Sequence, residues 1–579
     1  MVVLNTRWKI ARSDVSTITI NNLVDELSIT PTMARILAAR GYEDVDAAYE
    51  YLNPSYKDGH DPFLIKDLNK TVKRLKEAFR KEETILVHGD YDVDGITATA
   101  LLFKAFSGTC PIELYLPDRF EEGYGMSKNA IDLAKEKGIP LILTVDCGIS
   151  AVEEVEYAEE QGIDLIITDH HQPKEEDLEI FLNTSVVKAV VDIHRPDCPY
   201  PFKYLAGVGI TFKVVQALIA KGLLDIPIRE LLELCAIGTV ADVVKIIGEN
   251  RFLVKKGLDL LSKTMNPGLK SLKALCGLED GKQLHPSDIG FKIAPRLNAS
   301  GRLGSAQDAL QLLITQDWAE AQRLALNLDQ LNRERQALQD EIYQEAIKKI
   351  ESGKIPNLNP TSPFLVVEGE GWHEGVVGIV ASKIQERYYR PTTIISVSEE
   401  GARGSGRSIK DFDLLKSLLS CEELFDAVGG HPAAAGFSIS AEKIDELRRR
   451  MNEYTRQTVT KEDLIPQFEI DVELRSLRPV SERLVNEING MSPFGLGNPR
   501  PLLAIKNLIL LDWRFVGRNN EHVKMTLGDS KGNEMNAIAF GAAEKMENTH
   551  SNQIDVVFTP SINEWRGRKE VQLQIKDFR

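Results

Sequence analysis

Residues 87–95 read VHGDYDVDG, and the fold of the first half of the chain turns on how that stretch is placed. It follows the apolar run Thr84-Ile85-Leu86-Val87 and precedes Ile96 to Phe106, whose spacing predicts a helix, so it is read as a strand end turning into a helix. Three acids, Asp90, Asp92 and Asp94, fall at every second position. In an extended backbone alternate side chains share a face, so these carboxylates converge and repel one another unless a multivalent cation sits among them. A metal site is expected. The helix expected after Gly95 offers unpaired N–H groups to an anion, and Gly95 lets a backbone approach closely. A cation beside an anion site points to phosphoester chemistry.

Outward from this stretch, strands over 84–88, 111–116, 140–145, 163–168 and 187–192 alternate with helices over 96–106, 127–137 and 150–161. That alternation predicts a doubly wound, mostly parallel sheet with right-handed crossovers. Leu141 to Val145 runs into Asp146-Cys147-Gly148, and Asp164 to Thr168 runs into Asp169-His170-His171. Both clusters lie at the carboxyl ends of strands, where ligands of open α/β sheets bind. Further on, Leu231 to Val240 ends in Ala241-Asp242-Val243-Val244, a solitary acid in apolar surroundings that needs a partner. Asp with His, and no thiolate, suits magnesium or manganese better than a zinc site. Two ions bridged by a shared carboxylate would activate water and steady the leaving oxygen of a displacement at phosphorus. His171 would then touch the phosphoryl oxygens. Taken singly, the Asp triplet is also compatible with a turn, the His pair with a helix cap, and Asp242 with a structural ion pair.

A chain of 579 residues exceeds one hydrophobic core, so roughly two to four domains are expected. The net charge of −16 argues against a nucleic-acid partner without deciding the matter, because binding follows the local field of a groove. Six scattered cysteines without a CxxC argue against a zinc ribbon and a disulfide framework. No apolar run is long enough to span a bilayer and the first residues lack a leader pattern, so a cytoplasmic location is expected. The absence of GxxxxGK[ST] argues against an ATP-driven motor.

Residues 1–80 read as a helical N-terminal extension, and 317–352 as one long connector helix. A second α/β unit follows: strand 364–367, helix 375–387, strand 393–397, then ARGSGRS at 402–408 and GGHPAAAGFSI at 429–439. The glycines would bring backbone N–H groups to an anion while Arg403 and Arg407 supply fork-shaped donors. The residues alone leave a solvated loop equally open there. From about Gln467 short β-rich runs predict a small barrel. Trp513, Arg514, Phe515 and Arg518, with Trp565, Arg566, Arg568 and Lys569, interleave aromatics and cations as a single-strand binding face would. Barrel packing is the competing reading for both tryptophans.

GDYDVDG at 89–95, VDCGIS at 145–150, TDHHQP at 168–173 and GTVADVV at 238–244 resemble, in order, the motifs of the DHH phosphoesterase superfamily. LAGVGITFKV at 205–214 and APRLNASGRLG at 294–304 are similar to the RecJ family within it. The resemblance implies a DHH catalytic domain over 81–316, a DHH-associated domain over 353–460 and an OB-fold over 461–579. It implies Asp92, Asp94, Asp146, His170 and Asp242 as ligands of two Mn2+ or Mg2+ ions, with His88 a further candidate, Asp90 behind them and His171 on the phosphate. It implies that Arg302, Ser405 and Arg407 hold a 5′ end phosphate, with Arg403 beside them. The implied activity is exonucleolytic hydrolysis of single-stranded DNA from the 5′ end to mononucleotides, in repair and recombination. The expected enzyme is a monomer, with a helicase and a single-strand-binding protein as partners and no membrane. Two alternatives are a phosphodiesterase for short oligonucleotides or cyclic dinucleotides, and a non-catalytic replication scaffold. VVDIHRPDCPYPF at 190–202 departs from the family's Asn-Pro, which leaves Asp192 and His194 without an assigned role.

Overall fold

The computed structural model describes residues 6–12, 14–119, 121–123, 125–399, 401–565 and 567–579. It forms two compact units: Glu50–Glu334 with Met491–Pro499, and Met1–Tyr49 with Arg335–Gly490 and Arg500–Arg579. Among the described residues no helix is long and apolar enough to cross a membrane. All six cysteines are free thiols.

The first unit is built on a five-stranded, all-parallel sheet in the order Ile112–Tyr115, Ile85–Gly89, Leu141–Val145, Asp164–Asp169, Val187–Asp192. Strand alternation divides the apolar side chains between two cores. Ile85, Val87, Leu141, Leu143 and Val145 face helices Leu68–Lys81, Val93–Phe106 and Gly207–Ala220 on one side. Leu86, Ile142, Leu165 and Ile167 face Lys128–Lys137, Val152–Gln161 and Glu175–Asn183 on the other. The sheet is therefore buried on both faces, as its near-continuous apolar strands require. The chain leaves Ile85–Gly89 first for one neighbour and later returns to the other side of it. This puts the switch of strand order between Ile85–Gly89 and Leu141–Val145, where a crevice opens at the carboxyl ends.

Two local differences from expectation have physical causes. The helix after the Asp triplet begins at Val93 rather than Ile96, because the Asp92 side chain caps it by accepting the N–H groups of Asp94 and Gly95. Asp92 and Asp94 thus sit in a helical turn, and their convergence comes from the cap rather than from strand alternation. Helix Glu175–Asn183 has no counterpart among the expected elements. Its buried apolar signal is carried by Leu178 and Phe181, too few to stand out among acids.

The long helix, Trp318–Ser352, has 35 residues. Ala321, Leu324, Ala325 and Leu328 belong to the core of the first unit, and Ile342, Ala346, Ile347 and Ile350 to a core of the second. The second unit contains a five-stranded mixed sheet in the order Phe425–His431, Ala434–Ile439, Gly401–Arg407, Thr392–Ser398, Leu365–Glu370. It also contains a closed β-barrel. Leu503–Val516 pairs with His522–Gly528 on one side and Gln553–Trp565 on the other, and Glu534–Ala539 and Arg568–Phe578 complete the ring. The N-terminal strand Arg7–Ile10 pairs in parallel with Gln467–Ile470 of this unit.

Candidate metal centre

Four segments remote in sequence deliver side chains to the crevice. Asp92 and Asp94 come from the cap and first turn of Val93–Phe106, Asp146 from the end of Leu141–Val145, His170 from just beyond Asp164–Asp169, and Asp242 from the C-cap of Leu232–Ala241. His170 Nε2 lies 3.1 Å from Asp146 Oδ1, 3.7 Å from Asp242 Oδ2 and 3.9 Å from Asp94 Oδ2. Ligand atoms of three overlapping groups come within 4.8 Å of one another: Asp94, His170 and Asp242; Asp146, His170 and His171; Asp90, Asp92 and Asp146. The backbone is bent to achieve this. Asp146 adopts φ 63°, a left-handed conformation that Asp tolerates better than most residues.

Neighbouring backbone fixes the aim of each group. Helix Gly207–Ala220 points its N-terminus at Asp94, whose two oxygens accept Gly207 N–H at 2.7 Å and Val208 N–H at 2.9 Å. Gly207 is required there, since a Cβ would lie 2.5 Å from Asp146 Oδ1. The His170 ring turns Nε2 toward the carboxylates of Asp94, Asp146 and Asp242. Asp90 Oδ1, Asp146 Oδ1, His170 Nε2 and Asp242 Oδ2 are all buried without a hydrogen-bond partner. Orphaned buried acceptors are rare in folded proteins, and a group of them facing one another fits a cation.

The electrostatics agree. Burial, then repulsion from Asp92, pushes Asp94 up to about 7. Burial and the neighbouring carboxylates drive Asp90, Asp146 and Asp242 well above the usual range. Burial, with the charge of His171, holds His170 down to about 3, so its ring is neutral and its lone pair available. Hard oxygen donors with one imidazole fit Mn2+ or Mg2+.

His171 stands differently. Burial works against its charge, but the hydrogen bond of Nδ1 to Asp169 Oδ1 at 2.7 Å outweighs it and lifts the ring to about 9. Burial would raise Asp169, yet His171 and the N–H of Ile149 hold it down to about 2. Asp169 also accepts the N–H groups of His170 and His171, fixing the whole turn. An imidazolium thus stands beside the neutral His170.

His88 is not brought into the cluster. Its ring is fully buried, Nε2 accepts the Ser127 N–H at 3.2 Å, and Nδ1 lies 3.5 Å from Cys147 Sγ. Both ring nitrogens are engaged away from the carboxylates, and burial holds the ring down to about 4. Arg302 lies in the last turn of helix Ala294–Leu303, which packs on the Asp-rich turn so closely that a Cβ on Gly301 would be 2.8 Å from Tyr91 O. Arg119 stacks over the Tyr91 ring at 5.2 Å.

In the second unit ARGSGRS forms a strand, Gly401–Arg407, rather than a loop. Its alternation puts Arg403, Ser405 and Arg407 on one face and Ala402, Gly404 and Gly406 on the other. The glycines serve packing: a Cβ on Gly404 would strike the Phe437 ring at 2.2 Å, and one on Gly406 would meet Leu414 at 2.8 Å. Their amides belong to a strand paired on both sides, so side chains are the donors on this face. Ser405 and Arg407 face helix Glu374–Tyr388 at Gly378, where a Cβ would lie 2.9 Å from Ser405 Oγ and 3.1 Å from Arg407 Nη2. Arg403, 64% exposed, pairs with Glu374 at 3.0 Å.

In the barrel, Trp513 and Phe515 lie on one face of Leu503–Val516 with ring centroids 5.2 Å apart, opposite Met525 and Val523. Arg514 faces the other way, opposite Lys524. Interleaving along a strand therefore separates aromatics from cations. Arg518 is exposed in the following turn, and Arg568 is exposed at the start of the last strand. Arg566 and the side chain of Trp565 lie outside the described residues.

Family models match three stretches: the DHH family N-terminal domain at residues 84–239, the DHHA1 domain at 361–457 and the RecJ OB domain at 470–577. The single-stranded-DNA-specific exonuclease RecJ of Bacillus subtilis is 40% identical over 581 residues, spanning all of this chain and 71% of that protein. The chain belongs to the RecJ family. The Escherichia coli RecJ is 34% identical over 94% of this chain and 95% of its own length. The crystal structure of Thermus thermophilus RecJ in complex with Mn2+ superposes with a TM-score of 0.83 at 28% identity, covering 99% of this chain and 79% of that one. A complex of the same protein with Mg2+ gives a TM-score of 0.78.

Within this RecJ-family fold, several residues that shape the centre carry little signal in the sequence. Gly207 and Val208 act through backbone N–H groups, which no side-chain pattern reveals. Asp169 lies inside a visible cluster without a role of its own, and its position at a strand end beside two histidines was the available signal.

Proposed function

We propose that the chain is a metal-dependent exonuclease that hydrolyses single-stranded DNA from the 5′ end to mononucleotides, acting in DNA repair and recombination. The observation that carries this is the meeting of Asp94, Asp146, His170 and Asp242 around unpartnered buried ligand atoms. Relatives named as single-stranded-DNA-specific exonucleases support the substrate, and the Mn2+ and Mg2+ complexes of one of them support the ions. Asp92, Asp94, Asp146, His170 and Asp242 are the proposed ligands, with Asp90 behind them. Two divalent ions held there would supply Lewis acidity toward the scissile phosphate and lower the pKa of a water molecule.

The chain's own groups do the rest. His171, charged at neutral pH, donates to a phosphoryl oxygen while Asp169 orients it. The N–H groups of Gly207 and Val208 keep both Asp94 oxygens in place as charge builds. Arg302, Ser405 and Arg407 are the proposed contacts for the 5′ terminal phosphate, with Arg403 nearby, and Trp513, Arg518, Trp565 and Arg568 for the strand on the barrel. The proposed linear division is 1–80, 81–316, 317–352, 353–460 and 461–579. A monomer in the cytoplasm, working with a helicase and a single-strand-binding protein, completes the proposal. The test is degradation of 5′- and 3′-labelled single strands in Mn2+. Mononucleotides released first from the 5′ label are expected, and an inert wild-type protein would remove the proposal.

A further inference from the structure

We infer that His194 is a positioning residue of the metal centre, joining the segment that carries His170 to the segment that clamps Asp94; this rests on the metal-centre proposal above. Its ring is set between two main-chain carbonyls. Nδ1 lies 2.6 Å from His170 O and Nε2 3.1 Å from Lys203 O, so the ring's N–H is within hydrogen-bonding reach of either carbonyl. These oxygens belong to the two stretches that shape the centre. Beyond Lys203 the same stretch reaches Gly207 and Val208, whose N–H groups hold Asp94. A shift of residues 203–208 against residue 170 would therefore loosen the turn that carries the imidazole and release the Asp94 carboxylate together.

His194 can serve as such a tie because it is itself fixed. Its N–H donates to Asp192 Oδ1 at 2.5 Å, at the end of strand Val187–Asp192, and its Nδ1 is 3.8 Å from that same oxygen. Asp192 is wholly buried. Lys203 closes the loop from the other side through Nζ, which donates to Ile193 O and to Cys198 O. His194 reaches no carboxylate of the cluster, so its effect passes through the backbone of the ligands it orders. This gives the stretch 190–202, which departs from the family pattern, a defined task.

Groups that orient a ligating imidazole typically weigh about 10- to 100-fold in metal affinity. Mn2+ binding is read directly from the loss of the six-line EPR signal of free Mn2+, for wild type, His194→Ala, His194→Gln and His170→Ala. His194→Ala is expected to weaken binding by about 10- to 100-fold. His194→Gln, whose amide can donate to one carbonyl, should fall between it and wild type. At saturating Mn2+ the kcat of both variants returns to within a few-fold of wild type, with KM for the oligonucleotide unmoved. If His194→Ala is insoluble, His194→Gln carries the test. Wild-type protein that binds no Mn2+ would overturn the metal centre and this inference with it. Wild-type binding matched within about twofold by both His194 variants would overturn the inference alone, as would an activity loss that excess Mn2+ does not restore.

Discussion

Protons and divalent ions compete for the same carboxylates, and the structure gives the size of that competition. Asp94 is pushed up to about 7 by burial and by Asp92. At pH 6 it therefore carries about 0.9 proton, and at pH 8 about 0.1. An ion that binds the carboxylate must expel that proton, so Asp94 alone makes apparent affinity rise about tenfold per pH unit up to 7 and level off above it. Asp146 and Asp242, also raised, add to the slope in the same direction. His170 adds nothing, because burial already holds it down to about 3. Isothermal titration with Mn2+ in two buffers of different ionisation enthalpy measures the protons released at each pH. About one proton or more at pH 6 is expected, with the share of Asp94 lost by pH 8 and the remainder set by Asp146 and Asp242. A flat affinity across this range with no proton release would refute the account of the carboxylates as mutually repelling and cation-seeking.

Other outcomes follow from particular contacts. Asp146→Ala should abolish turnover while leaving single-strand binding within a few-fold by gel shift; full turnover would refute its role. Gly207→Ala removes no ligand, yet its Cβ would sit 2.5 Å from Asp146 Oδ1, so Mn2+ binding should fall below wild type, read by isothermal titration. Arg407→Ala should erase the rate advantage of a 5′-phosphorylated over a 5′-hydroxyl oligonucleotide, read as a kcat/KM ratio approaching one. The Asp169–His171 pair gives a stability with two limbs. His171, raised from 6.5 to about 9, contributes fully below 6.5 and loses that contribution as pH rises through 9. Asp169, lowered from 3.8 to about 2, contributes above 3.8 and loses it as pH falls through 2. In Asp169→Asn both limbs should flatten relative to wild type in denaturant unfolding of the metal-free protein.

The parallel sheet was legible because an apolar run that stops abruptly at Asp or His marks a strand buried on both faces with a polar rim at its end: Val87 into Asp90, Val145 into Asp146, Thr168 into Asp169. The long helix Trp318–Ser352 was equally plain from a stretch without proline or glycine. Local geometry was harder. The Asp triplet converges through an N-cap, and a cap is decided by φ and ψ rather than by residue type, since Asp serves turns, caps and ligands alike. ARGSGRS left a solvated loop and an anion pocket equally open, because glycine suits both. Here Gly404 and Gly406 make room for Phe437 and Leu414, a demand set by residues 33 and 8 positions away. His88 was a ligand candidate only through the family resemblance. Ser127 and Cys147, which occupy its nitrogens, come from segments 39 and 59 residues distant.

The pairing of Arg7–Ile10 with Gln467–Ile470 bears on biosynthesis. Helix Pro31–Ala39 buries Met33, Ile36 and Leu37, and packs beside Val472–Leu474 and helix Glu482–Gly490. Arg40 Nε bonds Asp471 Oδ1 at 2.6 Å in the same region. The opening segment thus emerges from the ribosome more than four hundred residues ahead of the surfaces that receive it. At roughly 5–20 residues per second that is a wait of about 20–90 s with an edge strand and an apolar helix face uncovered. During this interval the parallel sheet can form, whereas strand Arg7–Ile10 and helix Pro31–Ala39 wait for the surfaces that cover them until elongation nears its end.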